Sequence, residues 1–117
     1  MINKLKENET IEMHDNGEHL RDIIHINDAC KAIELICRKG KLNEIYNVGL
    51  GKPISIREFI NLSKKIIKSR SKLVNVKTPK FRSEAVNKNF WMDIGKIQSL
   101  GFKADFSHLD IINDLCN

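Results

Sequence analysis

The pattern of apolar and polar residues predicts a chain of short strands alternating with helices. Thr10 to His14 read as a short strand, and Asn16-Gly17 then supplies two residues that tolerate the positive φ angles of a tight hairpin turn. Leu20 to Ile26 are rich in β-branched side chains and are predicted to complete a β-hairpin. Further strands are predicted at residues 44–48 and 72–77, the second alternating like an edge strand.

The first predicted helix covers residues 29–38. Asn27 and Asp28 are its candidate caps, because a short side-chain oxygen there can accept a free first-turn amide, and Gly40 ends the helix. Its apolar residues form a wide stripe, which predicts burial on more than one side.

The other helices are predicted from capping signals followed by helical spacing. Ser55 and Glu58 fit a capping box before an amphipathic run that extends to about Lys68. Two shorter helices are expected, one after Asp93 that ends near Leu100 and one from Ser107 to Leu115.

Composition indicates one small globular domain with a basic balance. The chain has 117 residues, 41% hydrophobic and 30% charged, with a net charge of +5. That charge permits binding to phosphates, nucleic acid or an anionic membrane. The densest cationic group is interpreted as a solvated helix face, because no aromatic residues are interleaved with it. Its members are Lys64, Lys65, Lys68, Arg70 and Lys72.

The cysteines and the apolar runs limit the class of protein. Cys30, Cys37 and Cys116 are odd in number and form no C-x-x-C, so we interpret them as core thiols of a reduced, cytoplasmic protein. The histidines show no paired spacing with them, and no metal site is predicted. No run has signal-peptide length or approaches the roughly 20 apolar residues of a membrane span.

A glycine turn between a predicted strand and a predicted helix raises the question of a dinucleotide site. A dinucleotide loop requires G-x-G-x-x-G, whose glycines let the backbone approach the pyrophosphate. Gly49 and Gly51 fill the first two places, but Ile54 stands in the third, and Pro53 lacks an N–H group there. We therefore predict a structural turn and not a cofactor loop.

Four phrases in order nevertheless resemble a known family. They are R-D-I-I-H-I-N-D at 21–28, Y-N-V-G-L-G at 46–51 followed by Ser55 and Glu58, an arginine segment that begins F-R-S-E at 81–84, and D-I-G-K at 93–96 followed by L-G-F at 100–102. Their order and spacing resemble the C-terminal part of the NAD-dependent epimerase/dehydratase family. These extended short-chain dehydrogenase/reductases act on nucleotide sugars. The resemblance covers residues 10 to about 112.

The resemblance implies an α/β fold, the C-terminal substrate-lobe portion of an extended Rossmann-type enzyme. Residues 1–117 would be a single truncated domain resembling the lobe that binds the nucleotide sugar. The sequence has no G-x-x-G-x-x-G, and its one tyrosine, Tyr46, is followed by Leu50 where the family's catalytic pair requires lysine. No catalytic or cofactor-binding residue is therefore assigned. NAD(P) is expected for the intact family enzyme and not for this chain alone.

The resemblance supplies Arg21, Arg82 and Glu84 as candidate substrate-binding residues. Arg21 matches the family arginine that contacts the nucleotide diphosphate, where a guanidinium fork suits phosphate oxygens. The alternative is an exposed strand arginine paired with Asp22. Arg82 matches a second diphosphate or ribose arginine. The family places an acid three residues after it, whereas Glu84 comes two later and Ala85 holds the third place.

Other distinctive residues are expected to be architectural. Asp28 is expected to cap its helix, Asn47 to tie the glycine turn, and His25 to pack in its strand. Phe90 and Trp91 are expected to pack rather than to stack on a base.

The expected partners follow from the resemblance. In the family fold, residues 44–48 and the helix at 28–38 join the large Rossmann sheet, so alone they would expose a strand edge and an apolar face. We expect self-association or docking on a partner that carries the missing half, with a nucleoside-diphosphate sugar as the small-molecule partner. The sequence does not choose among epimerase, dehydratase, decarboxylase and reductase. The alternative function is a non-catalytic basic module that binds a protein or nucleic acid through residues 64–72.

Overall fold

The computed structural model describes residues 1–80 and 89–117. The α/β class predicted from the sequence is confirmed, and a short N-terminal helix is added that the sequence pattern did not predict. The helices and strands whose bounds the structure gives are α1 (Ile2–Lys6), β1 (Ile11–His14), β2 (Leu20–Asp22), α2 (Ile26–Lys39), β3 (Pro53–Ser55), α3 (Ile56–Ile67), β4 (Leu73–Val76), α4 (Gly95–Gln98) and α5 (His108–Cys116).

The described strands pair into two separate two-stranded sheets, so the predicted β-hairpin is wrong. β1 pairs in parallel with β4, with Ile11 opposite Leu73, and β2 pairs antiparallel with β3. Asn16 and Gly17 do adopt positive φ angles, 57° and 68°. They lie in a short 3-10 turn that carries the chain from one sheet to the other. Turn residues therefore determined where the chain bends but not which strands pair.

Helix α3 forms where it was predicted, and its N-terminal end carries a local signal. The Ser55 hydroxyl accepts the N–H of Glu58 at 3.0 Å, which satisfies one free first-turn donor. Only this half of the predicted capping box forms, because the Glu58 side chain does not bond back to the Ser55 N–H. Lys68 ends the helix in the left-handed conformation, with φ of 57°. The buried face of α3 then contributes to both sides of the core.

Neighbouring residues of α3 enter two different apolar clusters. Ile60 belongs to the first cluster and Phe59 to the second. Leu5, Ile11 and Met13 complete the buried part of the first cluster, and Ile54, Ile112 and Cys116 complete that of the second. Burial of such side chains contributes about 1.5–3 kcal/mol each.

The final helix begins at a reciprocal cap. The Ser107 hydroxyl accepts the N–H of Asp110, and the Asp110 carboxylate accepts both the hydroxyl and the N–H of Ser107 at 2.6 and 2.8 Å. These bonds, first from the Ser107 hydroxyl, lower the pKa of Asp110. The prediction of a helix capped by Ser107 is confirmed.

Helix α2 begins at Ile26, and its cap is His25 rather than Asn27 or Asp28. The His25 Nδ1 accepts the N–H of Asn27 at 3.2 Å. Asp28 lies in the first turn, where the helix dipole favours a carboxylate. It is 1% exposed, and its oxygens accept the N–H groups of Asp105 and Phe106, both at 3.0 Å. Asp28 therefore holds the loop before α5 against α2.

Only one side of α2 is buried within the described residues, which corrects the expectation of burial on several sides. Ala32 packs with Ile97 and Phe102 in a third apolar cluster. Cys30 and Cys37 are exposed, so the prediction of core thiols is wrong for both, whereas Cys116 is buried. All three cysteines are free thiols.

The predicted strand at residues 44–48 pairs with no strand among the described residues. Side-chain contacts hold the segment instead. The Tyr46 hydroxyl accepts the N–H of Lys41 at 3.1 Å, and the Lys96 ammonium lies 4.8 Å from the centre of the Tyr46 ring. Lys96 also forms an ion pair with Glu44.

The described ranges contain no helix that is long and apolar enough to cross a membrane. The same ranges contain no group of three or more His, Cys, Asp or Glu side chains placed to hold a metal ion.

We expect Asp28→Asn to lower the free energy of unfolding by about 1–3 kcal/mol, because an amide cannot accept both N–H groups and leaves a buried donor unpaired. Urea denaturation followed by circular dichroism measures the change. Glu34→Gln is the matched control, because Glu34 lies on the same helix in an exposed ion pair with Arg38. Equal unfolding midpoints for the Asp28 variant and the parent chain would contradict the role assigned to this carboxylate.

Candidate functional site

Strand β2 lies between two neighbouring segments and carries the predicted site residue Arg21. On one edge, β2 pairs with β3 so that Arg21 lies opposite Ile54. On the other edge, the N–H of Leu20 donates to the Asn89 side-chain oxygen, and the N–H of Phe90 donates to the Leu20 carbonyl, both at 3.0 Å. Residues 89 and 90 therefore run along the strand that presents Arg21.

Asp22 ends β2 and connects it to two distant parts of the chain. Within the described residues its carboxylate accepts three backbone N–H groups: Oδ1 accepts that of Leu50 at 2.9 Å, and Oδ2 accepts those of Gly51 and Met92, both at 3.0 Å. Bonds from amides to a carboxylate are charge-assisted and stronger than neutral ones. Asp22 thus fixes the glycine turn and the segment around residue 92 to the end of β2.

The glycines of the turn are required by this close approach. A Cβ atom at Gly49 would lie 2.6 Å from the Asp22 Oδ2 and 2.8 Å from the Met92 Cγ. Gly51 has φ of +72°, and a Cβ there would lie 2.8 Å from the Ile94 side chain. The sequence prediction of a structural turn is confirmed by these contacts: consecutive amides make an anion-binding concavity, and the chain's own carboxylate occupies it.

Two further side chains tie the turn region to α4. The Asn47 amide donates to the Asp93 carbonyl at 3.2 Å, in agreement with its predicted tying role. The Asp93 carboxylate accepts the N–H of Gly95 at 2.9 Å and so satisfies a free donor at the start of α4.

Arg21 is half-buried, and its guanidinium Nη1 donates to the Leu20 carbonyl at 2.8 Å. Successive side chains of a strand point to opposite faces, so Arg21 and Asp22 face different sides of β2. The Asp22 carboxylate is bound by backbone amides and not by Arg21, so the alternative Arg21–Asp22 ion pair is not formed. Arg82 and Glu84 lie outside the described residues.

His25 has an architectural role, as predicted, although it lies after β2 and not in a strand. Its ring stacks on Phe106 with 3.8 Å between centroids and 11° between planes. Because Nδ1 accepts the Asn27 amide, the neutral ring carries its proton on Nε2, which faces the Asp114 carboxylate at 3.3 Å. These contacts join α2 to α5.

A cavity of about 410 Å³ opens beside the glycine turn, between α4 and the start of α5. Leu50 and Phe102 supply apolar walls. The carboxylates that line it are engaged in the fold, because Asp105 pairs with Lys31 and Asp110 caps α5. We therefore assign no ligand to this cavity.

The aromatic residues after the arginine segment are more open than expected. Phe90 and Trp91 are 54% and 49% exposed, so each of them is only partly packed, contrary to the expectation. They lie beside β2, next to the hydrogen bonds from the Phe90 N–H to the Leu20 carbonyl and from the Met92 N–H to the Asp22 carboxylate.

Comparison with known proteins places this geometry in a family. The model of the NAD dependent epimerase/dehydratase family matches residues 1–49. A putative UDP-glucose 4-epimerase of Methanocaldococcus jannaschii is 30% identical over 116 residues, which cover 99% of this chain and 36% of that protein. The chain belongs to the NAD-dependent epimerase/dehydratase family. A dTDP-D-glucose 4,6-dehydratase of Dictyostelium discoideum is 35% identical over 66 residues, 56% of this chain and 14% of that protein.

Solved structures show the same fold. A UDP-glucose 4-epimerase from Thermotoga maritima, determined with UDP-glucose, matches 96% of this chain and 35% of its own with a TM-score of 0.81 and 24% identity. A dTDP-glucose 4,6-dehydratase from Streptomyces venezuelae, with NAD and TYD bound, matches 97% and 34% with a TM-score of 0.80 and 24% identity. This epimerase/dehydratase-family chain thus spans about a third of the length of these two proteins.

Sequence reasoning missed the role of Asp22, which it considered only as a partner for Arg21. A usable signal was present, because Gly49 and Gly51 indicated a close backbone approach without a cofactor motif to explain it. The amides that Asp22 binds lie 28, 29 and 70 residues away, so only the fold identifies them.

We expect Gly49→Ala to lower the free energy of unfolding by about 1–3 kcal/mol, because the new methyl group collides with the Asp22 oxygen and the Met92 side chain. Gly95→Ala is the matched control. A Cβ there meets only Asp93 Oδ1, at 3.2 Å, and alanine favours a helix, so its change should stay within about 1 kcal/mol. Thermal and urea unfolding compare the two, and equal losses would rule out the close approach at Gly49.

Proposed function

We propose that this chain is the nucleotide-sugar-binding portion of an NAD(P)-dependent epimerase or dehydratase, and that it is inactive without a second portion that binds the cofactor. Family membership supports the substrate class, because a relative of the same fold was determined with UDP-glucose. The sequence supports the assignment of cofactor binding to a second portion, because it contains neither the Gly-rich cofactor loop nor a Tyr-x-x-x-Lys pair.

The observation that carries the proposal is the placement of Arg21. It lies on a three-residue strand that is held on both edges, by β3 and by residues 89 and 90. In sequence, residues 89 and 90 follow the segment that contains Arg82, the second arginine of the family pattern. A guanidinium presents a planar fork of donors that suits the oxygens of a diphosphate.

Arg82 is proposed as a second arginine for the diphosphate or ribose, and Glu84 as a further substrate-binding residue. NAD(P) belongs to the other portion of the enzyme, where the family's hydride chemistry takes place. This chain supplies binding and orientation of the sugar nucleotide.

We expect UDP-glucose or dTDP-glucose to bind the chain weakly, and Arg21→Ala to weaken that binding by more than about tenfold, or about 1.4 kcal/mol, because the charge-assisted bonds to the diphosphate are lost. Isothermal titration calorimetry or NMR titration measures the dissociation constants. NAD titrated under the same conditions should give no binding.

Arg70→Ala is the matched control, because it removes the same charge from an exposed position outside the proposed site. Its dissociation constant should stay within twofold of the parent value. If both variants lose affinity equally, the ligand responds to net charge alone and the assignment of Arg21 is wrong.

The outer face of α2 is proposed to receive the cofactor-binding portion. Ile26 and Ile33 on this face are 68% and 58% exposed, and Cys30 and Cys37 lie on the same stripe at helical spacing. The segment at 44–48 extends the apolar surface, because Ile45 is 83% exposed. An apolar stripe beside an extended segment is the kind of surface that a neighbouring sheet and its helices cover.

We expect the chain alone to associate through this face at roughly tens of micromolar, and Ile33→Glu to reduce that association because a charge there opposes apolar burial. Light scattering gives the mean mass, which should fall toward the 13.5 kDa monomer in the variant. Leu109→Glu is the control, since Leu109 is 51% exposed on α5, away from the stripe. A parent chain that is monodisperse and monomeric would contradict the docking proposal.

A further inference from the structure

Strand β2 is short, so the position of the Arg21 side chain depends on the contacts that hold the strand in place. It has only three residues, and Arg21 is the middle one. Leu20 is fixed by Asn89 and Phe90, and Asp22 is fixed by the amides of the glycine turn and of Met92. Besides the pairing of Arg21 with Ile54 in β3, the position of the Arg21 backbone therefore depends on anchors at the residues on either side.

The anchor at Asp22 is the stronger of the two, because it is ionic in character. Its bonds come from the N–H groups of Leu50, Gly51 and Met92 at 2.9–3.0 Å, and the carboxylate is partly buried. Charge-assisted hydrogen bonds that are partly buried from water are stronger than neutral ones. The Leu20 anchor consists of neutral bonds, one of them from its N–H group to a side-chain amide oxygen.

We infer that Asp22 is a positioning residue for the diphosphate site: it acts through Arg21 by fixing the end of β2, and it makes no contact with the ligand itself. The inference rests on the proposed function, because it assumes that Arg21 binds the diphosphate. Strand alternation separates the two roles, since Arg21 faces one side of β2 and Asp22 faces the glycine turn on the other.

In the variant Asp22→Asn, the change in net charge and the loss of positioning should change the affinity in opposite directions. The substitution removes one negative charge, which by itself would strengthen attraction for an anionic diphosphate. The amide retains a single oxygen acceptor and points its NH₂ group at one of the three backbone donors. Loss of affinity in this variant would therefore report lost positioning and not lost attraction.

The matched control is Asp28→Asn. Asp28 also clamps backbone amides, those of Asp105 and Phe106, and its substitution changes net charge by the same amount. Both variants should lose stability, but only the Asp22 variant should bind UDP-glucose more weakly. We expect roughly a tenfold loss, by analogy with the loss of metal affinity when the outer partners of metal ligands are replaced.

A double-mutant cycle distinguishes positioning through Arg21 from general damage to the fold. If Asp22 acts through Arg21, Asp22→Asn should cost roughly tenfold in the parent chain and little in a chain that already carries Arg21→Ala. NMR titration with UDP-glucose, well below the unfolding temperature of every variant, supplies the four dissociation constants. Circular dichroism checks that each variant is folded. Asp22→Glu, which keeps the charge but displaces the oxygens by one methylene, replaces Asp22→Asn if that variant does not fold and carries the same expectation.

Each outcome has a distinct meaning. Unchanged affinity in the folded Asp22 variant, an equal loss in the Asp28 variant, or full additivity with Arg21→Ala overturns the positioning role and leaves the proposed function intact. Failure of the parent chain to bind UDP-glucose or dTDP-glucose overturns the proposed function and this inference together.

Discussion

The hydrogen bonds of the Asp22 carboxylate are the interaction on which the arrangement of this chain depends. They bring the end of β2, the glycine turn and the segment around Met92 to one point, although these lie far apart in sequence. The segment after Met92 leads into α4 and its buried Ile97, so the same bonds link the apolar cluster under α2 to the clusters around α3. Apolar packing is non-directional, whereas these hydrogen bonds fix the register between the parts.

Asp28 makes a similar set of bonds from the first turn of α2. There a buried carboxylate holds the loop that leads into α5, and the stacked pair of His25 and Phe106 adds a second tie. A small domain buries a limited apolar core, so polar ties of this kind supply the specificity that packing alone does not. The outer face of α2 takes no part in these contacts and keeps its apolar residues exposed.

Elements with local signals were predictable, and elements defined by distant partners were not. The caps at Ser55 and Ser107 marked α3 and α5 because the bonds join residues three apart in sequence. The predicted hairpin is wrong because Asn16-Gly17 carries no information about the partner of β1. The apolar spacing of α2 does not distinguish a buried face from an exposed one. The prediction of core thiols at Cys30 and Cys37 is wrong for this reason. At the site, a family phrase pointed to Arg21, whereas the partners of Asp22 came only from the fold.

The parallel pairing of β1 with β4 has a consequence for synthesis on the ribosome. Ile11 pairs with Leu73, so about sixty residues must be added before the first strand meets its neighbour. At roughly 5–20 residues per second, this takes about three to twelve seconds. During that interval Ile11 and Met13, both buried in the folded chain, belong to a strand with an open edge. Chaperones that bind short extended apolar segments would encounter β1 before β4 exists.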